Sequence, residues 1–321
     1  MNTETPLVSV RMITYNHEKF IAQAIEGVLM QKTNFPFELI IGEDCSTDRT
    51  REIVVDYANR YPEIIKPILQ ERNVGANANS QSVREACTGK YVALCEGDDY
   101  WIDPLKLQKQ VDFMESHPEC SFCFTRCQRV NERGEVYGKP YPNKRVPEVS
   151  EFGSYFPFKA TIQTVTVLYR RPKDSVKLSS DRPETNGDII LFSLLAQKGL
   201  IGFIPIITAH YRYNPKSITK IDKYAFNKRI ENTNEELERL LGDDHPEFVN
   251  RRKASQKASL ALLHAIDGNI GETRRILREH KNKPFSWYTA KTRFYCRLYS
   301  LFPSVMSSLR TLRRRLRGLP T

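Results

Sequence analysis

Short apolar runs alternate with amphipathic stretches through the first hundred residues, and each apolar run stops at a polar or acidic cluster. Leu7 to Ile13 reads as a strand. It leads through Thr14-Tyr15-Asn16 into a helix whose Phe20, Ile21, Ala24, Ile25, Val28 and Leu29 share one face, with Asn16 as its expected N-cap. Glu38 to Ile41 is a second strand that exits through Gly42-Glu43-Asp44-Cys45-Ser46-Thr47-Asp48 into a helix carrying Ile53, Val54 and Tyr57. A third strand covers Ile64 to Leu69, a helix covers Asn77 to Cys87, and a fourth strand, Tyr91 to Cys95, empties into Glu96-Gly97-Asp98-Asp99. This alternation predicts an α/β fold in which a mostly parallel, doubly wound sheet is covered by helices on both faces. Ligands of such sheets sit outside the carboxyl ends of the strands, where all these clusters fall.

Beyond Asp99 the pattern predicts a helix capped by Asp103 with Pro104 at its first position, then a strand from Cys120 to Phe124. Residues 131 to 159 are rich in Gly, Pro and charge and read as a long loop. Thr161 to Tyr169 reads as a strand, Gly187-Asp188 opens a helix running to Ala196, Gly202 to Tyr213 is extended, and the chain is helical after Asp222. The expected division is a sheet domain over 1–222 and a helical, basic extension over 223–321.

Charge sharpens that division. The chain of 321 residues carries 49 Lys and Arg against 38 Asp and Glu, a net +11, yet residues 268 to 321 alone hold 13 basic and 2 acidic side chains. The excess therefore belongs to the tail. From Leu301 onward, Leu301, Val305, Met306, Leu309, Leu312 and Leu316 recur at helical spacing among Arg310, Arg313, Arg314, Arg315 and Arg317, the pattern of an amphipathic helix that lies on an anionic membrane; the same stripe packed on the protein is the equal alternative. No nucleic-acid recognition motif accompanies these charges, so nucleic acid is not an expected partner. The seven cysteines are an odd number, no signal segment is read at the start, and a reducing, cytoplasmic setting is expected, peripheral on the inner face of the membrane if the tail docks there. Cys120, Cys123 and Cys127 have no second pair to complete a zinc site. The longest apolar run, Leu200 to Ala209, is interrupted by Pro205 and is too short to cross a bilayer.

The chemistry is expected at the strand ends. Carboxylates gathered at about 4 Å repel by roughly 4 kcal/mol per pair at an effective dielectric near 20, so the Glu96–Asp99 cluster calls for a compensating cation, a divalent metal above all. The first turn, Thr14 to Lys19, has no glycine and does not suit a dinucleotide pyrophosphate. A nucleotide diphosphate would instead be held through Mg²⁺ or Mn²⁺, both of which favour oxygen ligands. The competing explanation of each acid is local: a turn or helix cap for Asp98, Asp99 and Asp44, and a helix-dipole partner for Asp188.

Val10-x-Met-Ile-Thr14-Tyr15-Asn16, Glu43-Asp44-Cys-Ser46-Thr47-Asp48, Asn73-Val-Gly75 and Glu96-Gly97-Asp98-Asp99-Tyr100-Trp101 together resemble the ordered motifs of the family 2 glycosyltransferases, which have the GT-A fold. The resemblance spans roughly residues 5 to 220. It implies inverting transfer of a sugar from a nucleotide diphosphate donor, a UDP- or dTDP-sugar favoured, to a hydroxyl of a glycan or lipid-linked glycan in bacterial cell-surface synthesis. It implies donor contacts from Thr14, Tyr15, Asn16, Glu43, Asp44, Asp98 and Arg212, and metal coordination shared among Asp98, Asp99 and Glu96, with the choice between Asp98 and Asp99 open. Asp188, before its helix, falls where the family carries its general base. Two positions depart from the family pattern: Glu96 replaces the usual first Asp, and Asn214 stands where relatives place a His near the diphosphate. His210 is read as structural, and Arg72 and Lys90 as further phosphate-neutralising charges. Those departures sustain a rival reading, a non-catalytic nucleotide-sugar-binding or membrane-recruited scaffold of the same fold. A nucleotidyltransferase on a similar sheet would want a Gly-rich, basic first loop, which is missing.

Overall fold

The computed structural model describes residues 5–143, 145–152, 162–172, 184–213 and 222–279, with Phe294 and Leu301. Strands β1 (Val8–Thr14), β2 (Phe37–Glu43), β3 (Ile65–Leu69) and β4 (Tyr91–Leu94) lie in the order β3-β2-β1-β4 with every neighbour parallel. Helices α1 (Ile21–Leu29), α2 (Thr50–Arg60) and α3 (Ala76–Ala86) make the crossovers that parallel pairing demands. Then come β5 (Tyr100–Trp101), α4 (Lys106–Ser116), β6 (Cys120–Val130), β7 (Val149–Ser150), β8 (Val167–Arg170), α5 (Gly187–Leu195) and β9 (Leu200–Arg212). The sheet continues as β4-β8-β6-β9-β5, with β7 on β9. In this half β8 is antiparallel to both β4 and β6, β5 and β7 are antiparallel to β9, and β6–β9 is parallel. The sheet is thus parallel where helices return the chain and mixed where β8 follows β6 without an intervening α-helix among the described residues.

Alternation along β1 shows how register is fixed. Val8, Val10 and Met12 are fully buried against Ile21, Ile25 and Val28 of α1 and share a core with Leu107 and Met114 of α4. Across the sheet, Ile40, Val92, Leu94 and Tyr169 pack with Val83 of α3 and with Leu191, Phe192 and Leu195 of α5. Each such side chain contributes about 1.5–3 kcal/mol on burial, and a one-residue slip of a strand would turn its whole set to the wrong face.

Several local expectations are corrected. Asn16 does not cap α1, which begins at Ile21 with Phe20 at its cap position; Asn16 sits in a left-handed turn at φ 55° and bonds the β2 exit instead. Asp103 holds a turn rather than the helix end, accepting from Leu105 N at 2.9 Å, and α4 starts at Lys106. The strand expected over Cys120 to Phe124 runs on to Val130, because its inner side chains keep finding buried partners on β9. The strand expected from Thr161 is a 3₁₀ turn over Thr164–Thr166 followed by β8. Part of the 131–159 loop is ordered: Asn131 Oδ1 accepts from Arg133 N (2.9 Å) and Glu135 N (3.0 Å), and bridges join Val130 to Val136 and Cys127 to Tyr141. Residue 144 and residues 153–161 lie outside the described residues. Cys120, Cys123 and Cys127 are free and buried along β6, and burial pushes the thiols up, to about 11, 12 and 12.

The chain forms two compact units, Met1–Ser179 with Leu191–Asn214 and Ser180–Ile190 with Pro215–Thr321, so the division falls inside α5 and not at residue 222 alone. The second unit contains α6 (Lys223–Leu241), α7 (Pro246–Ile266) and α8 (Ile270–Glu279). Asp222 caps α6 by accepting from Tyr224 N (2.8 Å) and Ala225 N (3.0 Å), and Ala261, Ala265 and Ile276 join α7 to α8. No described helix is long and apolar enough to cross a membrane. The amphipathic helix expected from Leu301 lies outside the described residues apart from Leu301 itself, as do Cys296 and Asn214.

One buried charge in the first unit has a measurable consequence. Lys106 is fully buried; its ammonium donates to Gln110 Oε1 at 2.5 Å and lies 4.2 Å from the centre of the Trp101 ring. Burial pushes it down to about 8, with Cys123 next among the groups acting on it. The unfolded chain then binds more protons than the folded one between about 8 and 10.5, so folding stability rises with pH across that window, by about 3 kcal/mol at 1.36 kcal/mol per unit. Lys106→Met removes the buried charge and is expected to stabilise the protein by about 1–3 kcal/mol at pH 7. It should also flatten the rise in melting temperature between pH 8 and 10; an unchanged slope would remove Lys106 as its source.

Candidate functional site

The polar clusters meet on one rim of the parallel half-sheet. Thr14 and Glu43 end β1 and β2 in register, Asp44 N donates to Thr14 O at 3.1 Å, and on the other side of β1 Gly97 N donates to Ile13 O at 3.1 Å. The exits of β2, β1 and β4 are therefore neighbours. Between the first two, Asn16 N donates to Ser46 Oγ (3.0 Å), Asn16 Oδ1 accepts from Thr47 N (2.9 Å), and His17 N donates to Thr50 Oγ1 (2.8 Å). Both turns contain a non-glycine residue in left-handed backbone, Asn16 at φ 55° and Cys45 at φ 57°, a conformation that costs about 1–3 kcal/mol and is kept where surrounding bonds over-determine it. Gly97 is required by closeness: a Cβ there would fall 2.7 Å from Thr14 Oγ1 and 3.0 Å from His17 Nδ1.

The acids differ in what they hold. Asp44, 3% exposed, accepts Val74 N on one oxygen (2.7 Å) and Gly75 N on the other (3.0 Å), which draws the loop before α3 onto the rim. Glu43 is fully buried, accepts from Ser46 N at 2.7 Å and pairs with Arg51 Nε at 2.5 Å. The structure places it behind the rim as a brace. Thr14 is also buried and bonded to His17 Nδ1 at 3.2 Å, whereas the Tyr15 ring is 40% exposed and offers an aromatic face. Asp99 is buried and accepts from Arg212 N at 2.7 Å; burial, then the neighbouring Asp98, pushes its carboxyl well above the usual range. Asp98 is half-buried, and no described residue hydrogen-bonds its carboxylate.

Arg212 locks the other side of the acidic loop. Nε donates to Asp98 O (3.0 Å), Nη1 to Asn131 O (3.3 Å) and Glu132 O (2.9 Å), and Nη2 to Gln23 Oε1 (2.5 Å), while the guanidinium lies over the rings of Phe20 (4.7 Å) and Tyr100 (5.1 Å). One of its five N–H donors is left without a partner among the described residues. His210 Nδ1 and the Tyr100 hydroxyl share a bond of 2.7 Å, and burial followed by Arg212 lowers the imidazole, consistent with a structural His210. Lys90 is corrected: it precedes β4, at the sheet end opposite the rim, and pairs with Glu115. Arg72 is exposed in the loop that follows β3.

The family model for glycosyl transferase family 2 matches residues 9–174, half of the chain. The chain belongs to glycosyl transferase family 2. Among its relatives is the putative teichuronic acid biosynthesis glycosyltransferase TuaG of Bacillus subtilis, 30% identical over 75% of this chain and 92% of TuaG. An uncharacterized Mycobacterium tuberculosis protein is 43% identical over 51% of this chain, and the chain spans about half of that protein, 47%. Two solved structures share the fold: S. aureus TarS 1-349 in complex with UDP-GlcNAc (18% identity, 94% of this chain and 91% of that one, TM-score 0.53) and a Pyrobaculum calidifontis mannosyltransferase in complex with GDP-Man and Mn²⁺ (14%, 95% and 85%, TM-score 0.51). The fold is accordingly GT-A, with additional C-terminal helices.

In this family 2 chain Asp188 stands in the first turn of α5 and belongs to the second compact unit. Its Oδ1 accepts from Ile189 N at 2.8 Å. The residue keeps partial solvent access, yet the atoms packed round its carboxyl push it above the ordinary carboxylate range, with the Ile189 N–H and then Arg252 and Arg229 acting against that rise. Sequence reasoning missed Gln23, Asn131 and Tyr100 as the clamp on Arg212; no local signal marks contacts between residues so far apart in the chain. Among the described residues no group of three or more His, Cys, Asp or Glu is placed to hold a metal ion. The oxygen donors that are present still suit a hard dication: Mg²⁺-type ions bind through one or two carboxylates together with phosphate oxygens and water, and the half-buried Asp98 is such a carboxylate.

Proposed function

We propose that the protein transfers a sugar, with inversion, from a nucleotide diphosphate donor to a hydroxyl of a cell-surface glycan. The observation that carries this is the convergence of the β1, β2 and β4 exits, which brings Tyr15, Asp44 and the Asp98 loop to one rim. TarS bound to UDP-GlcNAc and the name of TuaG support the substrate classes, and a UDP-sugar is the favoured donor. Tyr15 stacks on the base, Asp44 holds the base or ribose edge with its remaining lone pairs, and Asp98 holds Mg²⁺ or Mn²⁺, with Glu96 beside it and Asp99 keeping the loop in place. When bound, the metal neutralises the charge of the departing nucleoside diphosphate. The acceptor oxygen forms its bond to the anomeric carbon as the bond to the diphosphate breaks, and Asp188 takes the hydroxyl proton. The cationic tail supports an acceptor presented at an anionic membrane surface.

A melting-temperature series with UDP-GlcNAc, UDP-glucose, dTDP-glucose and GDP-mannose, each with and without Mn²⁺, tests the donor site. At one hundred times its dissociation constant a donor stabilises the fold by about 2.7 kcal/mol, which is expected for a UDP-sugar and to need the ion. No shift with any nucleotide sugar would defeat the proposal.

A further inference from the structure

We infer that Arg212 is a positioning residue for the Asp98 loop rather than a ligand of the donor diphosphate, and that Gln23 and the turn at Asn131 and Glu132 share that task; this rests on the reading of Asp98 as the carboxylate that holds the ion. The Asp98 carboxylate has no hydrogen-bond partner among the described residues, so its place depends on the main chain that carries it. Arg212 holds that main chain twice. Its Nε donates to Asp98 O at 3.0 Å and its backbone N to Asp99 Oδ1 at 2.7 Å, which fastens residues 98 and 99 to the end of β9. Asp99 N also donates to Glu96 O at 3.1 Å and closes the loop on itself.

The guanidinium is itself aimed by parts of the same compact unit. Asn131 Oδ1 accepts from Arg133 N and Glu135 N, and Gly134, at φ 81°, brings its N–H to Asn131 O at 3.0 Å, so the turn after β6 has a shape of its own. Its Asn131 and Glu132 carbonyls accept from Nη1, and Gln23 of α1 accepts from Nη2. The Tyr100 ring against the guanidinium is held in turn by His210 at 2.7 Å. Arg212 is 4% exposed, and four of its five donors are spent on the protein's own oxygens. Arginine grips a phosphate through two parallel N–H groups, and the single donor that remains cannot form such a fork. A group that orients a metal-binding carboxylate from behind changes metal affinity by about ten- to a hundredfold when it is lost, and every contact of Arg212 suits that role.

The test measures the dissociation constant of UDP by calorimetry on the full chain, once in EDTA and once in saturating Mn²⁺, and takes the ratio as the gain from the ion. Arg212→Lys keeps the positive charge, but one ammonium cannot span Asp98 O, the turn and Gln23 together. In that variant UDP binding in EDTA is expected to stay within about twofold of wild type while the gain from Mn²⁺ falls about tenfold. Gln23→Ala, at an exposed position of α1, removes one of the four guanidinium bonds and should lower the gain about threefold. A folded Arg212→Lys with weaker UDP binding in EDTA and an undiminished gain would put the side chain on the diphosphate and overturn the inference, as would constants equal to wild type in both conditions. If Arg212→Lys does not fold, Gln23→Ala decides, and an unchanged gain overturns the inference equally. A wild-type protein that binds UDP no more tightly with Mn²⁺ would instead remove the metal reading of Asp98, and the inference with it.

Discussion

Asp188→Asn is expected to lower sugar transfer by about 10²- to 10⁴-fold, the range that a positioned general base contributes. The substitution is nearly isosteric, and an Asn Oδ1 can still accept from Ile189 N, the bond the carboxylate makes at 2.8 Å. What disappears is the ability to take a proton. Folding should not suffer. An acid held above its ordinary range by burial makes the folded state bind more protons than the unfolded one, so wild-type stability falls as pH rises from the unfolded toward the folded value of Asp188. The amide has no such term, and the variant is expected to melt at or above the wild-type temperature at neutral pH. The donor-induced rise in melting temperature should be unchanged. Turnover within threefold of wild type would dismiss Asp188 as the base, and loss of the donor-induced rise would show that its role lies in binding.

The strand exits were legible because parallel pairing makes a periodic signal: Val8, Val10 and Met12 on one face of β1, and apolar runs that end together at Thr14, Glu43 and Leu94. The same sequence did not separate the acids by function. Glu43, Asp44, Asp98 and Asp99 are alike in composition, yet one braces the rim through Arg51, one gathers the loop before α3, one is half-buried and one faces Arg212 N. Those differences arise from partners distant in sequence, Gln23 with Arg212 for example, and no local periodicity encodes them. Helix starts were misjudged for a related reason. Asn16 and Asp103 have the chemistry of caps, but the β2 exit and Leu105 N claim their oxygens before a helix can. The grouping of Asp188 with the C-terminal helices was invisible for the same cause, since it depends on Thr233 and Arg229 reaching back to residues 185 and 186.

Asp44→Asn is expected to destabilise the protein by about 1–2 kcal/mol, because a half-buried backbone donor would be left facing another donor. Both carboxylate oxygens are occupied by main-chain N–H groups, Val74 at 2.7 Å and Gly75 at 3.0 Å, and the site is 3% exposed. An amide supplies one acceptor and turns an NH₂ toward the second N–H. Gly75 N keeps Asn73 Oδ1 as a second acceptor at 3.1 Å, which limits the loss, while its φ of 84° and the start of α3 at Ala76 restrict how far it can move. The negative charge also lies near the N-terminus of that helix, where an anion is favourable and an amide is not. A loss of this size lowers the melting temperature of a fold with a couple of hundred residues by about 5 °C. The loop so released lies on the donor rim, so affinity for a UDP-sugar should fall at least about tenfold, equivalent to 1.4 kcal/mol. Asp56→Asn is the contrast, since Asp56 pairs with Arg60 on the exposed side of α2 and its loss should change stability by less than about 0.5 kcal/mol. If the two variants melt alike and bind a UDP-sugar alike, the carboxylate of Asp44 does not hold the rim, and the strand exits are kept together by the main-chain bonds of Asp44 N to Thr14 O and Gly97 N to Ile13 O and by the Asn16–Ser46, Asn16–Thr47 and His17–Thr50 bonds.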